Sequence, residues 1–174
     1  MAEQLTEPQP RHAGFAQPFV DAAKVILETM AHTQLASCTP EIRSDDISKG
    51  DYSSIIGISG NFTHDNGEEG TYKGNIAVSF PEATYLKVAS AIFEEEYSEY
   101  SDDISDLGAE IINMIVGNAK RELEEMGFTS NMAIPSSISG PGDKIKYPGR
   151  TAVTIILIDC DHGRFFIEVA YEDN

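Results

Sequence analysis

The stretch Asp103–Gly127, DISDLGAEIINMIVGNAKRELEEMG, decides how the rest of the chain is read. Its apolar residues recur with helical spacing, which predicts one long helix. At about 100° per residue each side chain can be placed around the axis. Leu107, Ile111, Ile112, Met114, Ile115, Val116, Ala119, Leu123 and Met126 then share one sector a little wider than half a turn. That is the pattern of a helix laid against a core.

The opposite strip carries Glu110, Asn113, Gly117, Lys120, Arg121 and Glu124. Glu110 and Asn113 stand at i and i+3, so their side chains emerge side by side. Gly117 follows one turn later, although a glycine inside a helix costs about 0.5–1 kcal/mol relative to alanine. Either something approaches closely there, or the strip is an ordinary solvated face. Lys120 and Arg121 are expected to pair along the helix surface with Glu124 and Glu125.

Outward from this helix, Gly127 supplies the left-handed residue that commonly ends one. Upstream, the acid-rich EEEYSEYSDDISD of residues 94–106 is expected to be an exposed connector. Its Asp103, Ser105 and Asp106 are candidates to cap the long helix and complement its positive end. Tyr97 and Tyr100 are either plain surface or a contact for a partner.

Before the connector, Ala83, Leu86, Val88, Ala89 and Ile92 predict a helix that starts after Pro81 and ends near Phe93. It is preceded by Ser53–Phe62 and Tyr72–Phe80, joined by THDNGEEG, which read as a hairpin with a long loop. Residues 34–43 can hold a strand containing Pro40. Phe19, Val20, Ala23, Ile26, Leu27 and Met30 predict a first helix from Pro18 to about Ala31. Residues 1–14, without apolar periodicity, are expected to form a loose tail, leaving residues 15–174 as one domain.

Beyond the long helix, Ala133–Ile138 reads as an edge strand around Pro135, with a turn over Ser139–Gly142. Thr151–Cys160 and Arg164–Tyr171, separated by Asp161, His162 and Gly163, make the clearest hairpin. The order helix, hairpin, helix, long helix, strand, hairpin indicates an α+β fold, an antiparallel sheet packed with long helices, with a hint of internal duplication. No G-x-G-x-x-G or GxxxxGK[ST] motif argues for a parallel nucleotide-binding sheet.

A chain of 174 residues with 41% hydrophobic content suits one sizeable core. Its formal net charge of −17 argues against nucleic acid or an anionic membrane as partner and favours a surface with a basic rim. Neither a spanning apolar run nor a secretory signal is evident, so a cytoplasmic location is expected. Cys38 and Cys160 lack CxxC spacing and are expected to be reduced core residues. His12, His32, His64 and His162 have no ligand partners at metal spacing, and no metal site is expected.

Taken together, Glu110-Ile111-Ile112-Asn113, the run Met114–Lys120, then Leu123, Gly127, Pro135 and Ile138-Ser139-Gly140 resemble the signature helix of the CheX-type chemotaxis phosphatases of the CheC/CheX/FliY superfamily. The resemblance extends to Pro18-Phe19-Val20, Ile58-Ser59-Gly60 and Gly74–Phe80, and so covers nearly everything after the tail. It implies hydrolysis of the aspartyl phosphate of a phosphorylated CheY-type receiver in trans. It also implies that Asn113 holds the attacking water and Glu110 pairs with the receiver's phosphate-site lysine. Mg²⁺ would be bound by the receiver, with no cofactor on this chain, and the protein would be a homodimer. One ExxN is present, and the helix around Phe19–Met30 has no counterpart. Gly117 then either leaves room for the partner's loops or packs within its own fold. Alternatives are a non-catalytic receiver-binding or flagellar-switch adaptor of the same fold and, more remotely, a small-molecule-binding domain.

Overall fold

The computed structural model describes residues 10–42, 50–64, 66–139 and 153–173. Among the described residues three helices, α1 (Pro10–Met30), α2 (Glu82–Phe93) and α3 (Leu107–Glu125), accompany seven strands. The strands are β1 (Leu35–Ile42), β2 (Tyr52–Thr63), β3 (Glu69–Phe80), β4 (Asn131–Met132), β5 (Ser136–Ser139), β6 (Val153–Cys160) and β7 (Gly163–Asp173). They form one sheet in the order β1-β6-β7-β3-β2-β4, with β5 also on β2, and every pairing is antiparallel. This is the α+β architecture expected from the two hairpins and the helical periodicities.

Alternation along the strands sends Ile56, Ile58, Phe62, Tyr72, Ile76, Val78, Ile156, Ile158, Ile167 and Val169 into the same core as the helices. Two aromatic groups anchor that core. Phe15 meets Phe19, Tyr72, Phe128 and Tyr171 at ring separations of 4.6–5.5 Å, while Tyr85 meets Tyr52, Phe80 and Tyr100 at 5.0–5.8 Å. Helix α3 packs on α1, β2 and β3, and α2 on β3 and β7.

Several expectations are corrected. Helix α1 begins at Pro10, eight residues before Pro18, so residues 10–14 are helical where a tail was expected; residues 1–9 lie outside the described residues. Pro18 is inside the helix, where it removes a backbone hydrogen bond and costs about 3 kcal/mol. Complete burial of Phe15, one turn earlier, offsets that cost and extends the helix.

The single edge strand expected around Pro135 is two short ones, β4 and β5, because a proline cannot donate to the ladder. Most of the Ser139–Gly142 turn lies outside the described residues. Pro40 is accommodated because β1 is an edge strand. Cys38 is exposed on β1 and Cys160 half-buried, so neither is the core residue expected; both are free thiols. The connector is less exposed than its acids suggest: Ile104 is buried, and Tyr100 stacks on Tyr52 at 4.1 Å. No helix among the described residues is long and apolar enough to cross a membrane.

Candidate functional site

Why Glu110 and Asn113 point outward follows from what α3 buries. Leu107, Ile111, Ile112, Ile115, Val116, Ala119 and Leu123 are at most 2% exposed. Each large aliphatic chain gains roughly 1.5–3 kcal/mol from burial. Turning the helix to hide Asn113 would forfeit most of that sum. Met114 is only half-buried and Met126 is 41% exposed, so the apolar sector is narrower than the sequence reading and ends at Leu123.

Glu110, Asn113 and Gly117 are all exposed on the opposite strip. Residues three apart on a helix bring their Cβ atoms within about 5–6 Å, so the carboxylate and the carboxamide form one polar pair. Among the described residues, neither side chain makes a hydrogen bond or ion pair. Asn118 behaves differently: its Nδ2 donates to the Met114 carbonyl at 2.9 Å, turning it back onto its own helix. Asn113 keeps its carboxamide available. Glu110 lies in the first turn of α3, where the helix dipole favours an anion.

A Cβ added at Gly117 would meet nothing within 4 Å. Among the described residues this glycine therefore packs against nothing in its own fold, and the surface directly beside it is open. Further along, Arg121 pairs with Glu125 at 3.6 Å, as expected for the helix surface. A cavity of about 410 Å³ lies elsewhere, lined by Gly57, Lys73, Asn75, Asn131, Ala170 and other sheet residues and by none from α3. The described residues contain no group of three or more His, Cys, Asp or Glu arranged to hold a metal ion.

The start of α3 differs from the sequence reading. A 3₁₀ turn, Asp102–Ile104, precedes it, Asp106 occupies the N-cap position, and none of Asp103, Ser105 or Asp106 provides a side-chain cap. Ser105 instead donates to the Asp102 carbonyl. The N–H of Gly108 donates to the Tyr85 hydroxyl at 3.3 Å, and that hydroxyl donates to the Ile104 carbonyl. A Cβ on Gly108 would come within 2.6 Å of Ser54 Oγ, so a larger residue would make the Ser54 hydroxyl shift where the first turn lies against β2. Sequence reading missed Tyr85, Gly108 and Ser54 as supports of the site, since nothing local in the chain signals a contact 23 residues away.

A family model described as chemotaxis phosphatase CheX matches residues 67–159, a span that includes all of α3. Among solved structures, the chemotaxis protein CheX from Desulfovibrio desulfuricans is 32% identical, with a TM-score of 0.78, over 91% of this chain and 99% of that one. A CheC-like superfamily protein from Shewanella sp. PV-4 is 28% identical, with a TM-score of 0.77, over 91% and 97%. A chain of the CheX–CheY–BeF₃–Mg²⁺ complex from Borrelia burgdorferi is 26% identical, with a TM-score of 0.71, over 91% and 97%. Comparison with curated proteins gives no match.

Proposed function

The chain belongs to the CheX family of chemotaxis phosphatases, and from that premise we propose that it hydrolyses the aspartyl phosphate of a CheY-type receiver in trans. The observation that carries this reading is the exposed, unengaged pair Glu110 and Asn113 beside the bare Gly117. The Borrelia complex of CheX with CheY supports a receiver as the partner.

An acyl phosphate is already activated, so catalysis consists chiefly of placing a water in line and accommodating charge on the phosphoryl group. In the proposed step the water oxygen bonds to phosphorus and the bond from phosphorus to the aspartyl oxygen breaks. The electron pair stays on the receiver's carboxylate, and inorganic phosphate leaves with the water's proton redistributed to solvent. The Asn113 carboxamide accepts from the water through Oδ1 and donates through Nδ2, and it does not titrate. Glu110 pairs with the receiver's phosphate-site lysine, which fixes register more than it adds affinity. Mg²⁺ in this proposal is held by the receiver, where it neutralises phosphoryl charge when bound. The net charge of −17 supports steering toward a basic rim, an attraction that salt weakens.

The proposal includes a homodimer in the cytoplasm, and light scattering at micromolar concentration tests the dimer. The deciding experiment compares phosphate release from a phosphorylated receiver with wild type and with Asn113→Ala. Loss of one positioned group is expected to slow release roughly 10²-fold. Equal rates would remove the mechanism, and a stable complex that never accelerates phosphate loss would make the chain an adaptor.

A further inference from the structure

The first turn of α3 is weak by its own sequence. Asp106 gives it no side-chain cap, and Gly108 is a poor helix former at the second helical position. Its first regular rung is the Glu110 N–H to the Asp106 carbonyl at 3.0 Å. The N–H of Gly108 is one of the donors a helix start cannot satisfy internally. What satisfies it comes from another helix: the Tyr85 hydroxyl accepts that N–H and passes its own hydrogen to the carbonyl of Ile104. One oxygen thus bridges the 3₁₀ turn and α3, two residues before Glu110.

The ring that delivers this oxygen has no freedom to wander. Tyr85 is 2% exposed and wedged among Tyr52, Phe80 and Tyr100. On the other side, Ser54 of β2 lies against Gly108 and bonds Ser137 of β5 at 3.1 Å. The first turn of α3 is therefore held between α2 and the sheet, and its height and rotation carry over to the rigid helix that follows.

We infer that Tyr85 is a positioning residue for the Glu110 and Asn113 pair, acting through the Gly108 turn; the inference rests on the phosphatase reading above. Burial holds the Tyr85 hydroxyl well above the usual tyrosine range, so it stays protonated and able to donate across any practical assay pH. Tyr85→Phe keeps the packed ring and removes only the bridging oxygen, which leaves the Gly108 N–H and the Ile104 carbonyl without their partner. The first turn then frays or shifts, and misplacement by about 1 Å can cost a catalytic step up to 10²-fold.

The test measures phosphate release from a phosphorylated receiver at varied receiver concentration. Tyr85→Phe is expected to lower kcat about tenfold or more with KM nearly unchanged, since an alignment is lost and not a binding contact. Amide exchange over Leu107–Glu110 should quicken in the same variant. Tyr72→Phe is the control: it removes an equally buried hydroxyl, bonded to Thr129 and Ser130 beyond the other end of α3, and should leave kcat intact. A second route needs no change at Tyr85. Gly108→Ala should reproduce the kcat defect by striking Ser54 Oγ, and adding Ser54→Ala should restore turnover, because the next Ser54 atom is 3.6 Å away.

Full turnover in Tyr85→Phe and Gly108→Ala beside an inactive Asn113→Ala overturns the positioning role and leaves the phosphatase reading standing. An equal kcat loss in Tyr72→Phe overturns it too, by reducing the effect to general stability. A wild-type protein that does not accelerate phosphate release removes both.

Discussion

The two ends of α3 are held by different means. At the C-terminal end the main chain does the holding. Gly127, at φ +92°, donates to the Glu124 carbonyl, and Phe128 donates to that of Leu123, the paired bonds of a Schellman cap. The chain then ties to β2 through Thr63 to Gly127 and Thr129 to Asn61, while Phe128 buries its ring in the core. At the N-terminal end, a single side-chain oxygen from a different helix bridges the break. Redundant backbone bonds make the far end tolerant of side-chain change, whereas the end that carries Glu110 and Asn113 depends on one tyrosine and one glycine.

The largest effect that would sharpen this contrast is expected at the pair itself. Asn113→Ala should slow receiver dephosphorylation roughly 10²-fold. Its melting temperature should hold or rise slightly, because the exposed amide has no partner among the described residues and alanine is the better helix former. Tyr85→Phe should next lose about 1–3 kcal/mol in urea unfolding, for the buried polar groups it strands. Gly127→Ala should cost about 1–2 kcal/mol, since a side chain at φ +92° is strained although Thr63 O is 3.9 Å away, and its kcat should stay at the wild-type value. A kcat loss there as large as that of Tyr85→Phe would erase the distinction between the ends. Gly117→Ala should raise stability by about 0.5–1 kcal/mol, as an open helical site favours alanine. A bulky Gly117→Trp should instead raise KM for the receiver. Arg121→Ala should change stability by less than about 0.5 kcal/mol, the usual result for an exposed pair.

Periodicity made the inner face of α3 readable before any coordinates, because seven closely spaced aliphatic residues leave one way to lay a helix on a sheet. The β2–β3 and β6–β7 hairpins were readable for the same kind of reason, β-branched runs broken by turn residues. Gly127 announced its role by type. Where one residue had two uses, the local rule misled: Pro18 read as a start, yet the burial of Phe15 carried the helix back to Pro10. Asp103, Ser105 and Asp106 had the chemistry of caps, but the 3₁₀ turn and the incoming Tyr85 left them no such task. Tyr85 itself sat unremarked on the inner face of α2, and its contact with Gly108 exists only once the sheet has brought α2 and α3 together.

Among the described residues, the Glu110 and Asn113 pair stands on an exposed helix face. Gly117 leaves the neighbouring surface open, and the 410 Å³ hollow in the sheet shares no residue with α3. With the pair so exposed, a free acyl phosphate such as acetyl phosphate is expected to survive incubation with the protein at its spontaneous rate. On the proposed function, selectivity would then belong to the visitor, a substrate that brings its own pocket to the pair.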